Sequence, residues 1–390
     1  GLEATITGSV SDSDGSVSEV KIDWGDGSSD IVTSGFDKSH TYNSKGPYDV
    51  MVKATDDDGA SSTKTVEVYV TSSEVEAFTY NGKTYQGKKT TGSGDPVIYS
   101  DNKITVTKPE VKSFQADGFF EISGNVGYTG AYQYAWIKVK KVGSTEETNY
   151  WITDDFNKRI WLRFGSGDYK VTVHKVEIVE GNTIEEPYDG AISGWKYWDP
   201  VYEFDVENTR DEDGRYYYPS DPIQSGSTKI HSKADEITDG INNEYEKIKA
   251  VHDWVVKYLY YDDDSLIDGQ RKKQDAISAY NYESAVCEGY TSLFAALLRS
   301  IGFRVKAVAG TSENGQSHAW NNVYHDSQWQ LVDTTWDDPG PNDDDPNGDN
   351  LTYDHFMKDV GSFHTKDDDR PERFIVPVQP EWPGYPEGIY

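Results

Sequence analysis

At 390 residues the chain has room for two to four domains. Its 37 basic and 68 acidic residues leave a net charge of −31, which argues against nucleic acid and anionic membrane surfaces as partners. No apolar run approaches membrane-spanning length, so no membrane insertion is expected, and 35 glycines with 13% aromatic residues point to many short strands.

The chain starts at Gly1 without Met or a signal peptide and reads as a mature or trimmed chain. Residues 1–71 contain the strand-like runs ATITGSV, SEVKIDW, YDVMVKAT and TKTVEVYV, broken at SDSDGS, GDGSS and DDDGASS. Strands at this spacing predict a small β-sandwich. The run Asp23-Trp24-Gly25-Asp26-Gly27, then His40-Thr41-Tyr42, Gly46, Tyr48-Asp49-Val50 and the turn from Asp56 to Gly59, resembles the polycystic-kidney-disease-type (PKD) Ig-like module. The turns carry Asp12, Asp14, Asp56, Asp57 and Asp58. Carboxylate-rich turns at one end of a sandwich suit Ca²⁺, which takes six to eight oxygens. The resemblance implies calcium at the corresponding turns, so Asp12, Asp14 and Asp56 are the expected ligands of a structural Ca²⁺. Asp in a turn also serves turn geometry alone.

Residues 72–108 are polar, with AFTYNGKTYQG and NKITVTK as strand-like pieces, and read as a linker or a hairpin packed on a neighbour. Residues 109–207 predict a second β-sandwich of seven strands or so, with clear alternation from Lys170 to Val176. Its RIWLRFGSGDYKVTVHKVE resembles the Ig-like module that precedes transglutaminase-like domains in Gram-positive surface proteins. His174 reads as an exposed strand residue. Tyr150, Trp151, Trp161, Trp195 and Trp198 read as sandwich core and seam, or alternatively as a sugar-stacking face.

The pattern changes at Asn208, where a third domain, 208–390, begins. Asn243 and Glu246 form a capping-box-like start, followed by Tyr245, Ile248, Val251, Val255 and Leu259 at helical spacing. His252 lies beside that stripe and reads as structural. Ser284 then precedes a second helical run with Leu293, Leu297 and Ile301 on one face, stopped by Gly302. The only cysteine, Cys287, thus falls in the first turn of a buried helix. One cysteine excludes an intramolecular disulfide and, in a secreted chain, reads as a reactive thiol. The helix N-terminus favours its anionic form, and Gly289 leaves room for backbone or substrate.

Two strand-like runs follow, Ala319–Tyr324 and Trp329–Val332. A loop of two or four residues centred on Asp326 and Ser327 pairs His325 with Gln328 and sets Trp320 opposite Asp333, whereas a loop with an odd number of residues puts His318 and Asp333 on opposite faces. Side chains alternate faces along a strand, so His318 then lies diagonally from Asp333 on one sheet face. A Cys, a His and an Asp in this arrangement are a nucleophile, a base and a carboxylate that orients the base.

Cys-Glu-Gly-Tyr opening a helix, then Ser-His-Ala-Trp-Asn, then Val-Asp-Thr-Thr-Trp-Asp, resembles the transglutaminase-like superfamily, a papain-like fold. The likeness runs from about Asn208 to His364. It implies an α+β domain and a triad of Cys287, His318 and Asp333. It also implies an aromatic or amide oxyanion donor upstream of the cysteine, for which Tyr280 is the candidate. The expected protein is therefore multidomain, with two all-β Ig-like sandwiches followed by an α+β transglutaminase-like domain. The implied activity is acyl transfer to, or hydrolysis of, peptide or glutamine amides through a thioester. No cofactor is required for that chemistry. The expected partner is a protein or peptide substrate, including cell-wall or surface proteins, and the expected location is secreted or cell-surface. The alternative is a non-catalytic surface adhesion or scaffold protein that kept the fold. The acidic loop after Asp337 and the Pro-rich tail read as a solvated loop and an extended surface segment.

Overall fold

A computed structural model describes residues 3–13, 15–43, 46–70, 78–88, 99–100, 104–109, 112–127, 133–152, 155–183, 193–197, 200–262, 273–338 and 351–364. The first domain is a sandwich. A two-stranded sheet pairs Glu3–Ser9 with Gly35–Thr41, and a four-stranded sheet runs in the order Ser29–Val32, Val17–Asp23, Gly46–Asp56, Ser61–Val70. Alternation in Val17–Asp23 turns Val20 and Ile22 inward. Trp24, Tyr42, Tyr48 and Val50 complete the core with Ile22, and the Tyr42 hydroxyl donates to the Trp24 carbonyl at 3.1 Å.

The second domain stacks a four-stranded sheet (Tyr99–Ser100, Ile104–Lys108, Phe119–Val126, Asp155–Trp161) on a larger one. The larger sheet runs Glu147–Ile152, Gln133–Lys141, Gly167–Thr183, Tyr202–Asn208, Ser113–Asp117, Gly87–Lys88, with Ser193–Tyr197 also paired to Gly167–Thr183. Phe120, Phe204, Ile137 and Val171 lie in its core. Among the aromatics weighed in the sequence, Tyr150 and Trp161 are buried, and Trp151 stacks on Trp136 with centroids 5.9 Å apart. The side chain of Trp195 and all of Trp198 lie outside the described residues. His174, expected to be exposed, is buried beside Trp136 and bonds Thr172 Oγ1 at 2.9 Å. The reason is register: His174 pairs with Trp136 across the sheet, and the indole covers its ring.

The stretch 72–108 has two structural roles. Ile104–Lys108 is a strand of the second sandwich, while Phe78–Tyr80 and Lys83–Tyr85 form a hairpin. Tyr80 and Tyr85 of the hairpin are buried in one cluster with Phe119, Trp161 and Tyr218. The Tyr80 hydroxyl lies within hydrogen-bond distance of the Tyr217 and Arg299 carbonyls and of Ser225, and Asn81 Nδ2 donates to the same Arg299 carbonyl at 2.8 Å. Arg299 stands in the last turn of the helix that begins at Cys287. The hairpin therefore adds side-chain donors to a C-terminal carbonyl that also accepts from Gly302 N at 3.1 Å just past the helix.

Among the described residues the third domain packs the helices Thr228–Thr238, Glu244–Tyr258, Ala276–Tyr282 and Cys287–Ser300 on an antiparallel sheet. The sheet order is Val305–Thr311, Ser317–His325, Gln328–Val332, Phe356–Asp359. Asn243 caps the second helix by accepting from Glu246 N at 3.0 Å, and Ile248, Val251 and Val255 are fully buried. Tyr245, expected in that stripe, is 40% exposed. Gly302 follows the Cys287 helix with φ of 96°, the left-handed geometry of a helix stop. The first and third domains are joined by hydrogen bonds that include Ser227 Oγ donating to buried Asp49 at 2.5 Å and Asn281 Nδ2 to Thr65 Oγ1 at 3.1 Å.

Candidate active site

The helix that carries Cys287 starts at that residue, with extended Val286 before it. Ser284, which precedes the run, lies in a short parallel strand pair with Tyr260. Position alone leaves the Cys287 backbone N–H without an intrahelical acceptor. Val286 N donates to Gln274 Oε1 at 2.9 Å, which anchors the start of the helix. The space beside Gly289, expected to admit backbone or substrate, is filled by the side chains of Ala285 and Gln274. A Cβ there would meet Ala285 Cβ at 2.4 Å and Gln274 Oε1 at 2.8 Å. Glycine is required for that packing.

The hairpin closes with a two-residue loop, one of the even lengths that put His318 and Asp333 on one face. His325 pairs with Gln328 and Asn321 with Val332, while Asp326 and Ser327 both take positive φ at 48° and 66° in the two-residue turn. One more step along the ladder brings Trp320 opposite Asp333, with His318 on the diagonal. His318 Nε2 and Asp333 Oδ2 lie 2.7 Å apart. Asp333 is fully buried, and four hydrogen bonds hold its carboxylate. Oδ1 accepts from Thr335 N and Trp336 N at 3.0 and 3.1 Å, and Oδ2 accepts from His318 and from His364, each at 2.7 Å.

With Nε2 on Asp333, Nδ1 is the ring nitrogen left for Cys287, whose thiol is near enough to the imidazole to favour its protonated form. Burial alone would lower the affinity of His318 for its proton. The charge and hydrogen bond of Asp333, followed by those of Cys287, overcome burial and raise the pKa to about 10. Burial likewise pushes Asp333 up, but the His318 charge and the two imidazole bonds hold it well below the usual carboxylate range. At neutral pH His318 and Asp333 form an ion pair. A cavity of about 220 Å³ opens beside His318, between Tyr261, Ser312, Trp336 and Asp338.

Tyr280 is not brought to the triad. Its ring stacks on Trp254 with centroids 5.9 Å apart, packs on Tyr258 at 5.3 Å and lies under Lys229 at 4.8 Å. The helix Ala276–Tyr282 turns this side chain toward the neighbouring helices, so the oxyanion role expected of it is withdrawn. In the first domain, Asp56 Oδ1 accepts from Asp58 N and Ala60 N at 3.0 and 2.8 Å, which is the turn-forming use of an aspartate. Asp57 is the residue that meets Asp12, on either side of Gly15, and Asp14 lies outside the described residues.

Two groups at the site escaped sequence reasoning. His364 is one of eight histidines and sits in GSFHTK, where no spacing links it to the triad. Gln274 is equally silent in the sequence. His252, read as structural, is fully buried and bridges Asp253 and Asp337, at 3.0 Å each.

Residues 231–334 match the family model described as the transglutaminase-like superfamily, and residues 1–71 match that of the PKD domain. The chain carries a transglutaminase-like domain. Among curated proteins it is similar to the kyphoscoliosis peptidase of Mus musculus, at 27% identity over 125 residues, covering 29% of this chain and 18% of that protein. The Homo sapiens counterpart matches at 27% over 129 residues, 29% of this chain and 20% of that protein. The chain thus spans about a fifth of the length of these relatives. Solved structures with local likeness include a TGase, at 21% identity and TM-score 0.23, covering 27% of this chain and 30% of that one. A candidate cysteine protease from Cytophaga hutchinsonii matches at 15% identity and TM-score 0.28, covering 56% and 78%. The transglutaminase-like assignment rests on the family model.

Proposed function

We propose that the transglutaminase-like domain is a cysteine enzyme that transfers or hydrolyses peptide or glutamine-type amides. The observation that carries this reading is the 2.7 Å bond from His318 to a fully buried Asp333, with the lone thiol near enough to the same imidazole to favour its protonated form. Cys287 Sγ attacks the amide carbonyl carbon, and the backbone N–H at the helix start faces the charge that develops on oxygen. His318 Nδ1 gives its proton to the departing amine, leaving a thioester on Cys287. Water or an amine then passes a proton to Nδ1 and attacks the thioester, and the thiolate leaves. Asp333 holds the imidazole in the tautomer and orientation that both steps use.

The substrate is a protein or peptide, met outside the cell or at its surface, with the PKD domain as a targeting module. A structural Ca²⁺ at the acidic turns of that domain belongs to the same proposal, with Asp12 and Asp57 as the carboxylates that meet; millimolar calcium should then raise its melting temperature. The deciding experiment is intact mass spectrometry with a glutamine-containing peptide and a primary amine. Gain of the acyl mass on Cys287, or amine incorporation into the peptide, is the expected result. A chain whose Cys287 resists iodoacetamide in the native state and gains no acyl mass is the non-catalytic scaffold instead.

A further inference from the structure

We propose that the open edge of the strand Val305–Thr311 docks an extended peptide segment of the substrate, which pairs there as an added strand and leads the reacting residue into the cavity beside His318. This rests on the thiol-transfer reading and names the form in which the substrate is held.

Val305–Thr311 is the first strand of its sheet and pairs on one side with Ser317–His325. Tyr324 N donates to the Arg304 carbonyl at 2.9 Å, which fixes the phase of the ladder. Lys306, Val308 and Gly310 then direct their backbone groups to the partner strand, while Val305, Ala307, Ala309 and Thr311 turn theirs outward. The protein itself uses this edge at one point. Val305 N donates to the Tyr216 carbonyl at 2.9 Å, and the Val305 carbonyl accepts from Arg299 Nη2 at 2.6 Å. Beyond that point the backbone N–H and C=O groups of Ala307, Ala309 and Thr311 have no partner among the described residues. A donor and an acceptor on every second residue match the repeat of another extended backbone.

The two edges of this sheet differ. At the other edge Leu331 pairs with Lys358 and Val332 with Phe356, so Met357 is an extra residue, with φ of 55°. Such a bulge keeps a strand from pairing further. Val305–Thr311 has an unbroken register, no proline, and small residues at Ala307, Ala309 and Gly310. Its lysine, a residue that commonly guards an edge, lies folded on Trp329, 3.8 Å from the ring centroid. Beside a guarded edge, an open one marks a place for a partner.

The open edge runs toward the site. Gly310 pairs with His318, and Ser312, Gln316 and Ser317 of the following turn line the cavity of about 220 Å³ together with His318. An added strand lies about 4.8 Å outside Val305–Thr311, so roughly 10 Å from the strand that carries His318. A peptide paired from Ala307 to Thr311 covers that distance with about three further residues at roughly 3.3 Å each.

The test captures, on the full chain, a neutral heptapeptide of alternating threonine and serine whose central residue is a cysteine carried as its 2-pyridyl disulfide. The Cys287 thiolate attacks the peptide sulfur, the bond to the pyridyl sulfur breaks, and pyridine-2-thiolate leaves and takes up a proton as the thione. Each rate is divided by that of the blocked single cysteine carried as the same disulfide. The heptapeptide should react about tenfold faster than the single residue. Single N-methylation should slow it about fivefold at every second position on one side of the cysteine, and less than about twofold at the positions between. Ala307→Pro removes an outward N–H and no ladder bond, and should lower the advantage of the heptapeptide about fivefold. In the captured complex the amides of Ala307, Ala309 and Thr311 should exchange with deuterium about tenfold more slowly than in the free chain.

Uniform or absent N-methyl effects overturn the proposal, whatever the variant does. Slow exchange of the three amides in the free chain also overturns it, since another segment, or a second copy if light scattering shows a dimer, then holds the edge. If the single-residue disulfide fails to label native Cys287, the thiol-transfer reading falls and the docking site with it. Capture without an alternating pattern removes the docking site alone.

Discussion

Two buried aspartates four residues apart, Asp333 and Asp337, each gather two histidines. Asp333 holds His318 and His364, while Asp337 holds His252 at 3.0 Å and His355 at 3.3 Å. Both carboxylates are fully buried and held below the usual range. Burial opposes this at each, and it is overcome by His318 and His364 at Asp333 and by His252 and His355 at Asp337. The difference lies in what else each pair touches. Asp337 also accepts from Thr352 Oγ1 and His355 N, at 3.1 and 2.9 Å, so it knots the chain after the hairpin. At Asp333 one histidine reaches a thiol and a cavity. A carboxylate–imidazole pair is therefore a bracing device in this domain, and access to Cys287 is what makes one of the two a candidate for chemistry.

The largest effect that tests the contrast is at the thiol. Cys287→Ala should abolish alkylation and acyl capture entirely, since the chain has no second cysteine. His318→Ala should slow iodoacetamide labelling near pH 7 about 100-fold and remove turnover, because base and acid are lost together. An unchanged labelling rate at every pH would show that the two groups are not coupled, and the scaffold reading would take over.

The next pair of variants separates bracing from chemistry. Asp337→Ala should cost about 3–5 kcal/mol of stability, because it takes the carboxylate from His355 and one of two carboxylates from His252, while labelling of Cys287 stays within about twofold. Asp333→Ala should cost a similar amount of stability and also lower turnover, though less than His318→Ala, since the thiol stays reactive beside a misoriented ring. Urea melts and labelling rates measured on the same samples would expose any reversal of that order.

Much of this was legible in the sequence. The helix start at Cys287, the two-residue turn and the shared face of His318 and Asp333 all follow from local periodicity and a side-chain period of two. What escaped depends on long-range packing. His364 reaches Asp333 from 31 residues away, and Tyr80 reaches the far end of the Cys287 helix from 219. No local pattern records either contact. Tyr280 failed for a related reason: nearness to Cys287 in sequence does not fix which side of a short helix faces the cleft. Asp56 and Asp57 differ by one position, and turn geometry sends one carboxylate to its own backbone and the other toward Asp12 and Ser16.

The smallest effect expected is a pH dependence of stability that belongs to the Asp333 pair. The folded pKa of His318, about 10, lies above its unfolded value near 6.5, so its contribution is complete below about pH 6.5 and is lost as pH rises toward 10. Asp333 is depressed, so its contribution is complete above its unfolded value near 4 and is lost as pH falls below it. The two together place the maximum contribution of this pair between about pH 4 and 6.5. His252 and His355 are raised as well, against the pull of burial, by their bonds to Asp253 and Asp337, so the whole protein should show the same alkaline slope more broadly. Asp333→Asn should flatten the part due to His318 and leave the rest, whereas Asp337→Asn should leave that part and reduce the one due to His252 and His355, with His252 still raised by Asp253. Melting temperatures from pH 4 to 10 for the three proteins would decide it, and superimposable alkaline slopes would mean that neither carboxylate sets the protonation of its histidines.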